Sequence, residues 1–203
     1  MYATLPAFVL GFHGCDRAVA EVVLSGKQPL KPSENNYDWL GHGIYFWENN
    51  PGRAMDYAQR LKATPKRTRG VVLDPFVIGA VVDLGHCLNL LESKSLSLLK
   101  SACELLNQAA TTSGVKLPKN KRVQGEVLIR HLDCAVIEAV HEVNENEGGR
   151  PYDSVLGVFM EGQPLYDGTE FRERNHIQIC VRNPNCIKGF FRVRESDKNF
   201  AIP

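Results

Sequence analysis

The order of strand and helix patterns along this chain limits its fold class. Apolar runs of strand length occur near both ends, from "AFVLGFHG" at the start to "HIQICVRN" and "KGFFRVRE" at the finish. Segments with helical spacing, such as "DRAVAEVVLSG" and residues 90 to 112, lie between them. Because strands and helices do not alternate regularly, the pattern favours an α+β fold with a mostly antiparallel sheet over a doubly wound parallel sheet.

Length and composition are consistent with one ordinary globular core. The chain has 203 residues, of which 43% are hydrophobic, and we expect a single domain spanning residues 1–203. Its formal net charge of +1 gives no overall field that would attract nucleic acid. The sequence contains neither the GxGxxG fingerprint nor a P-loop, so a nucleotide would have to bind by another route.

Six cysteines are scattered through the chain, with neither a CxxC pair nor a Cys/His spacing suited to zinc. We therefore expect free thiols and no bound metal. The first residues lack a positively charged leader, and no apolar run approaches the length of a membrane span. These features predict a soluble, cytoplasmic protein with no membrane partner.

The segment "GHGIYFW" carries an unusual aromatic load directly after a turn. Two glycines bracket His42, and the aromatic residues that follow either enter a core or hold a flat ligand. A second such signal is the pair His13-Gly14, because a glycine without Cβ lets a ligand approach the backbone. Tyr45 and Tyr57, on a strand and on the helix after it, could enclose a flat ring between them.

The pieces "FHG", "GHGIYF" and "AMDYA" together resemble the poly(ADP-ribose) polymerase-like branch of the ADP-ribosyltransferases. Tyr57 follows Tyr45 by one residue more than is usual in that family. "FVIGAVVDLGHCLNL" is similar to the family's central strand, and "HIQICVRNPNCIKGFF" to its closing hairpin. The resemblance implies an ADP-ribosyltransferase-like fold, in which a split, mostly antiparallel sheet has helices on its flanks.

The resemblance also implies that NAD is the substrate and assigns roles to individual residues. His13 would hydrogen-bond NAD hydroxyls, and the Gly14 backbone would pair with the nicotinamide amide. Tyr45, in the motif that begins at Gly43, would stack on the nicotinamide ring, and Tyr57 would close its other face. These residues are the expected NAD-binding set.

The third catalytic position departs from the family, which carries a glutamate there. The alignment places Gln178 at this position, while a shift of two residues would offer His176, and Glu173 lies in the preceding loop. The alternation of "HIQICV" would direct His176, Gln178 and Cys180 to one strand face and the intervening residues to the core. Glutamine can orient a ribose hydroxyl but cannot accept a proton as a base, so we expect transfer of a single ADP-ribose and no polymer.

Two functions from different classes follow. The first is an NAD-dependent mono-ADP-ribosyltransferase that modifies a protein or nucleic-acid target. Such an enzyme could be a toxin-like effector, and it would then have an inhibitory antitoxin or immunity partner. The second is a catalytically weak module of the same fold that binds NAD or ADP-ribose. An RNA 2′-phosphotransferase-like enzyme is a third candidate, but its Arg/His set has no evident place here. The loop from Gln163 to Asn175 would shape the acceptor side.

Several other polar residues are expected to be structural or exposed. The basic runs "PKRTRG" and "PKNKR" are typical of solvated turns. The remaining residues in this class are His42, His86, His131 and His141, with Asp38 and Glu48 as surface charges beside the proposed site.

Overall fold

The chain forms a seven-stranded sheet with helices on both faces. The computed structural model describes residues 8–64, 71–123 and 126–201. The helices are α1 (Arg17–Leu24), α2 (Pro51–Ala63), α3 (Ser93–Ser113) and α4 (His131–Asn146). The strands are β1 (Phe8–Asp16), β2 (Ile44–Glu48), β3 (Pro75–Asp83), β4 (Cys87–Asn89), β5 (Lys121–Val123), β6 (Glu126–Ile129), β7 (Ser154–Phe159), β8 (His176–Val181) and β9 (Ile187–Arg192).

The strands are arranged in the order β4-β7-β8-β2-β1-β3-β9, and β5 and β6 form a separate pair. Every adjacent pair in the large sheet is antiparallel except β4 and β7. The first and last strands, β1 and β9, both flank β3. The predicted α+β class with a mostly antiparallel sheet is therefore confirmed.

The sheet is weakest in its middle, between β1 and β2. β1 pairs with β3 along its full length, from Phe8 to Asp16. With β2 it pairs only at Gly11–Glu48 and Phe12–Trp47. After Phe12, β1 and β2 no longer pair residue by residue. The backbone edges that the two strands turn towards each other there are therefore not joined by regular sheet hydrogen bonds.

The two faces of the sheet bury different residues because successive strand side chains point in opposite directions. Helix α1 covers one face, where Phe46, Ile78 and Ile179 belong to a single cluster. Helices α2, α3 and α4 cover the other face, where the buried residues form two clusters. One of these lies beneath α3 and α4 and the other beneath α2.

The helix beginnings follow from local chemistry. The side chain of Asn50 accepts a hydrogen bond from the Arg53 N–H, and Pro51 occupies the first turn, where its missing N–H costs nothing. Asp16 caps α1 through Ala18 N–H. Helix α3 ends at Gly114, whose φ of 69° is the left-handed conformation that glycine accommodates best.

Some predicted boundaries are wrong. The sequence "EVLIRHLDCAVIEAVHEV" has helical periodicity throughout and predicts one helix, but its first four residues form β6 and the helix begins at His131. β4 and β5 are too short to have given a periodic signal. The last two strands do not form the hairpin expected from the resemblance, because β8 lies between β7 and β2 whereas β9 crosses to the edge beside β3. A single 3₁₀ turn at Pro184–Cys186 makes this crossing.

The cysteines are unpaired, and four of the six are buried, as expected of thiols that pack as small apolar groups. Burial raises the pKa of Cys15, and likewise that of Cys186, to about 11. None of the helices in the described ranges is long and apolar enough to cross a membrane. The predicted basic turn "PKRTRG" lies outside the described residues.

Candidate functional site

Neighbouring strands β2 and β8 present the candidate site residues on the face covered by α2 and α4. Tyr45 pairs with Cys180, and Trp47 pairs with Gln178. On one face of an antiparallel pair, diagonal neighbours have Cα atoms about 7–8 Å apart, which is the relation between Tyr45 and Gln178. His176 lies two residues before Gln178 on the same face, and Ile177 and Ile179 pack in the cluster on the opposite face. The alternation predicted for β8 is confirmed.

A buried tryptophan fixes the orientation of Gln178. The Trp39 Nε1–H donates to Oε1 of Gln178 at 2.6 Å. An indole N–H can only donate, so the atom it meets must be the amide oxygen, and the amide NH₂ is left free. That NH₂ has no hydrogen-bond partner among the described residues and is not one of the buried unpartnered atoms. It therefore faces accessible space as a donor.

Tyr45 is held rigidly at the end of the Gly-His-Gly turn. Its hydroxyl donates to the Gly41 carbonyl at 2.8 Å and accepts from the Leu40 N–H at 3.0 Å. Its ring packs against the cluster under α3 and α4. Burial raises the pKa of Tyr45 well above its ordinary value, so the phenol stays protonated. The side chain is a fixed aromatic surface rather than an acid or base.

His13 lies at the point where β1 and β2 separate. Its Nδ1 is 2.8 Å from the Tyr45 carbonyl oxygen, which can only accept, so Nδ1 carries the hydrogen. Burial lowers the pKa of His13, although the bond to Tyr45 opposes this. The imidazole is therefore neutral and its Nε2 presents a lone pair. Its ring lies 5.9 Å from that of Phe46, on the α1 side of the sheet, whereas the Tyr45 side chain lies on the other side.

The two motif glycines have structural reasons of their own. A Cβ on Gly14 would lie 2.0 Å from the Ala54 carbonyl oxygen, so this glycine lets α2 pack directly on β1. A Cβ on Gly43 would lie 2.6 Å from the Cys180 sulfur. Both backbone groups of Gly43 are already bonded to Ser33. Gly43 therefore allows β2 to pack closely against β8. At Gly14, only the backbone N–H and C=O that point in the plane of the sheet, on the side where β1 separates from β2, are placed to contact a ligand.

Tyr57 approaches the site from α2 and packs against Trp47, with ring centroids 5.0 Å apart. It makes no ring contact with Tyr45 in the part of the chain that the structure describes. Burial raises the pKa of both tyrosines, and the Asp38 carboxylate is close enough to contribute to each shift. Asp38 also accepts from the Asn35 N–H at 2.8 Å, which holds its carboxylate in the turn before Trp39.

The two alternatives for the third catalytic position occupy different surroundings. Glu173 is exposed, and its carboxylate accepts a 3.3 Å bond from the Gln163 N–H. His176 is buried, stacks on Phe159 at 5.5 Å, and donates from Nδ1 to the Arg174 carbonyl at 2.7 Å. Burial lowers the pKa of His176. Of the candidates, Gln178 and His176 share the face of Tyr45, and Glu173 does not lie on the strand.

An ionic cluster beside these residues escaped the sequence analysis. Glu161 is buried, with 5% of its side chain exposed, and it accepts from Arg53 at 2.7 Å and from Arg60 at 2.5 Å. A third guanidinium, that of Arg174, lies 3.7 Å from the same carboxylate. Glu161 lies 108 positions from Arg53, at the end of the apolar run "SVLGVFMEG" that predicts a strand, so no local pattern marks it as a charge partner.

Trp39 and Arg130 are further residues of the site wall that sequence reasoning missed. Trp39 ends a segment whose turn formers predict an exposed loop, yet the ring is buried against Phe159 at 5.1 Å. The Arg130 guanidinium lies 4.7 Å from the centre of the Trp39 ring. A tryptophan at the end of a polar stretch was the one available signal, because burying so large an apolar surface is strongly favourable.

The Gly-His-Gly turn is fastened to α4 by charge. The Glu138 carboxylate accepts from the His42 N–H at 2.8 Å and from Arg182 at 2.8 Å, and Arg182 also donates to the His42 carbonyl. Partial burial alone would raise the pKa of Glu138, but the bonds from Arg182 and His42 outweigh it and hold the pKa below its ordinary value. His42 is therefore positioned through its backbone, as a structural residue.

The site combines fixed aromatic surfaces with hydrogen-bond donors, which suits a flat, polar organic ligand. No group of three or more His, Cys, Asp or Glu side chains suited to a metal occurs within the described ranges. Neither Gln178 nor the protonated Tyr45 can act as a general base. The arrangement can bind and orient a ligand, and the neutral imidazoles of His13 and His176 each present an Nε2 lone pair.

Comparisons with known proteins identify a distant relative. The chain is 26% identical over 194 aligned residues to "Uncharacterized protein MJ0359" of Methanocaldococcus jannaschii, and the match covers 87% of this chain and 83% of that protein. No family model matches the chain, and no solved structure matches it.

Proposed function

We propose that this protein is an NAD-dependent mono-ADP-ribosyltransferase with an ADP-ribosyltransferase-like fold. The observation that carries the proposal is the opening between β1 and β2. His13 and the edge of Gly14 lie on one side of it, and Tyr45 and Gln178 lie beyond it on β2 and β8. The order and spacing of these residues are those in which the sequence resembles the family.

The ligand would span the opening. The Nε2 lone pair of His13 accepts a ribose hydroxyl, because Nδ1–H is committed to the Tyr45 carbonyl. The nicotinamide ring lies on the immobilised face of Tyr45, with Tyr57 on α2 closing the site. Gln178 directs its free NH₂ at the neighbouring ribose, since its oxygen is occupied by Trp39.

In this arrangement, bond cleavage relies on the leaving group. The nicotinamide of NAD carries a positive charge and departs neutral when its bond to C1′ breaks. The residues above hold the riboside so that an acceptor attacks C1′ as positive charge develops there, which is catalysis by orientation and electrostatic stabilisation. Because no carboxylate stands at the Gln178 position, the products carry one ADP-ribose unit and no polymer.

The test compares NAD turnover in two substitutions at one position. Tyr45→Phe keeps the ring, and we expect its rate of nicotinamide release to stay within a few-fold of that of the native protein. Tyr45→Ala removes the ring, and we expect its rate to fall at least tenfold while circular dichroism shows a folded protein. Equal turnover in the two folded variants would refute the stacking role of Tyr45.

A second candidate function, an NAD- or ADP-ribose-binding module with weak catalysis, is favoured by the glutamine in place of glutamate at residue 178. Labelled NAD separates the two functions. Incubation with cell lysate, followed by separate protease and nuclease digestion, should release label from a modified protein or nucleic acid. Tight NAD binding with no label on any macromolecule would instead support the binding module. The toxin-like form implies an antitoxin or immunity partner that suppresses this labelling.

A further inference from the structure

The surroundings of Glu161 contain buried hydrogen-bonding nitrogens that the described residues do not satisfy. Three arginines, Arg53, Arg60 and Arg174, converge on this one carboxylate. Five buried nitrogens there have no hydrogen-bond partner within the described parts of the chain: Nε of Arg53, Arg60 and Arg174, Nε1 of Trp47 and Nε2 of His176. Buried polar groups are normally paired, so such a concentration in one place calls for an explanation.

These nitrogens belong to one neighbourhood. The rings of Trp47 and His176 are 6.1 Å apart on adjacent strands. Arg53, Glu161 and Arg60 lie close enough to His176 to influence its titration. Arg53 is almost completely enclosed, with 7% of its side chain exposed, whereas Arg60 and Arg174 retain 42% and 36%. The neighbourhood is therefore closed at Arg53 and open to solvent on the side of the other two arginines.

Its chemistry matches a phosphate monoester. Guanidinium groups bind phosphate oxygens through charge-assisted bonds, and an indole N–H adds a neutral donor. Nδ1 of His176 donates to the Arg174 carbonyl, so Nε2 carries a lone pair that can accept the P–OH of a singly protonated phosphate. The other carboxylates of the cluster are more distant or exposed: Glu126 lies 3.9 Å from Arg174, and Asp56 reaches Arg53 from the surface.

The neighbourhood also lies where an acceptor must arrive. Trp47 is the direct register partner of Gln178, and His176 is two residues from Gln178 on the same strand face. Arg174 belongs to the loop from Gln163 to Asn175 that leads into β8. An anion held there lies beside the ribose that Gln178 would orient.

We propose that this arginine cluster binds a phosphate monoester and that a phosphate oxygen is the acceptor of ADP-ribose. The acceptor role rests on the function proposed above. A phosphate oxygen attacks C1′, the bond from C1′ to the nicotinamide nitrogen breaks, and nicotinamide leaves with the bonding electrons as a neutral molecule. The product is a phosphodiester, and no proton has to be removed because the attacking oxygen is already ionised near neutral pH. This explains how a glutamine can stand where a base would otherwise be required.

The first experiment measures binding without NAD. Inorganic phosphate is titrated into the native protein and into Arg174→Gln and Arg60→Gln variants by calorimetry. Both substitutions fall on partly exposed arginines, so they spare the enclosed Arg53. We expect at least tenfold weaker phosphate binding in each. The matched control is Arg192→Gln, which alters an arginine paired with Glu21 at the surface and should leave phosphate binding unchanged.

The second experiment tests transfer. Phenyl phosphate and phenol are incubated separately with the protein and NAD, and products are identified by mass spectrometry. We expect an ADP-ribosyl phenyl phosphate adduct and no phenol adduct, with the yield reduced at least tenfold by Arg174→Gln.

The outcomes are distinguishable. Absence of phosphate binding, or equal binding in the native and the two cluster variants, would overturn the subsite. Phosphate binding with NAD hydrolysis but no phosphate adduct would overturn the acceptor role while leaving the proposed function standing. Phosphate binding with NAD left intact under all conditions would instead overturn the proposed function, and the acceptor role with it.

Discussion

At the scale of single residues, the properties of the site depend on which polar atoms are already hydrogen-bonded within the protein. Trp39 occupies the oxygen of Gln178, and the Tyr45 carbonyl occupies one nitrogen of His13. What remains is complementary: an amide donor on Gln178 and a lone pair on His13. Each functional side chain thus has its polarity fixed by a neighbour distant in the sequence, and Trp39 is a positioning residue for Gln178.

Trp39→Phe tests this positioning. The substitution keeps an aromatic side chain but removes the Nε1–H and part of the buried indole, so we expect a destabilisation of about 1–3 kcal/mol from the lost hydrogen bond and the lost packing. We expect kcat for NAD to fall about tenfold with little change in KM, because binding surfaces remain while the amide is free to turn. The same substitution in a Gln178→Leu background should have no further effect on kcat. An equal loss in both backgrounds would show that Trp39 acts only through packing.

Residue patterns predicted part of this site. Strict alternation in "HIQICV" indicated the face of Gln178 correctly because one side of that strand enters the core. Nothing local indicated Glu161, and the only local signal for the burial of Trp39 was the size of its own apolar ring. Their partners, Arg53 and Gln178, are 108 and 139 positions away, and only the folded sheet brings them together.

At the scale of elements, the contact between β1 and α2 explains a motif glycine. Sequence reasoning interprets Gly14 as an opening for a ligand, but its face is filled by the backbone of α2 at Ala54. The sequence predicted both elements; their close approach depends on the absence of one Cβ.

Gly14→Ala should therefore destabilise the protein. The new Cβ would stand 2.0 Å from a backbone oxygen that cannot rotate away, so α2 must shift, at a cost of about 1–3 kcal/mol. Gly189→Ala is the matched control, since a Cβ at that strand glycine meets nothing within 4 Å. Urea unfolding of both variants gives the comparison, and equal midpoints for the two would contradict the role assigned to Gly14.

The cluster around Glu161 connects α2 to the segments that precede β8. Glu161→Gln would leave Arg53 enclosed without its main counter-charge, and removing one partner of a buried ion pair costs about 3–5 kcal/mol. Glu21→Gln removes a carboxylate from an exposed pair and should leave the free energy of unfolding nearly unchanged. Thermal and chemical unfolding of both variants measure the difference. A Glu161→Gln protein as stable as the native one would show that the arginines do not depend on this carboxylate.

At the scale of the whole molecule, the fold class was readable because strands at both ends with helices between favour an antiparallel sheet. The sheet order was not readable. "HIQICV" and "KGFFRV" are adjacent in the sequence, yet they lie on opposite sides of β2, β1 and β3, because the turn at Pro184 sends the chain across the sheet. The position of a late strand depends on which strand edges of the sheet are still unpaired when it docks, and no short sequence pattern encodes which edges those are.

The last prediction concerns the pH dependence of stability, through the clamp that joins α4, the Gly-His-Gly turn and the end of β8. The pKa of Glu138 is held below its ordinary value of about 4.5 by Arg182 and the His42 N–H. A carboxyl whose pKa is depressed on folding stabilises the protein above its unfolded-state pKa, and that contribution disappears as the pH falls through the folded-state value. Glu138→Gln cannot ionise, so the difference in unfolding free energy between native protein and variant should be constant near neutral pH. We expect it to be about 1–3 kcal/mol there, as for a hydrogen bond to a charged group, and to shrink below about pH 4.5. The other carboxylates titrate equally in the native protein and the variant. Urea unfolding of both proteins from about pH 3 to about pH 7, a range that includes the ordinary pKa values of carboxyl groups, therefore isolates Glu138. A difference that stayed constant down to the lowest pH would mean that the clamp holds the turn without using the charge of Glu138.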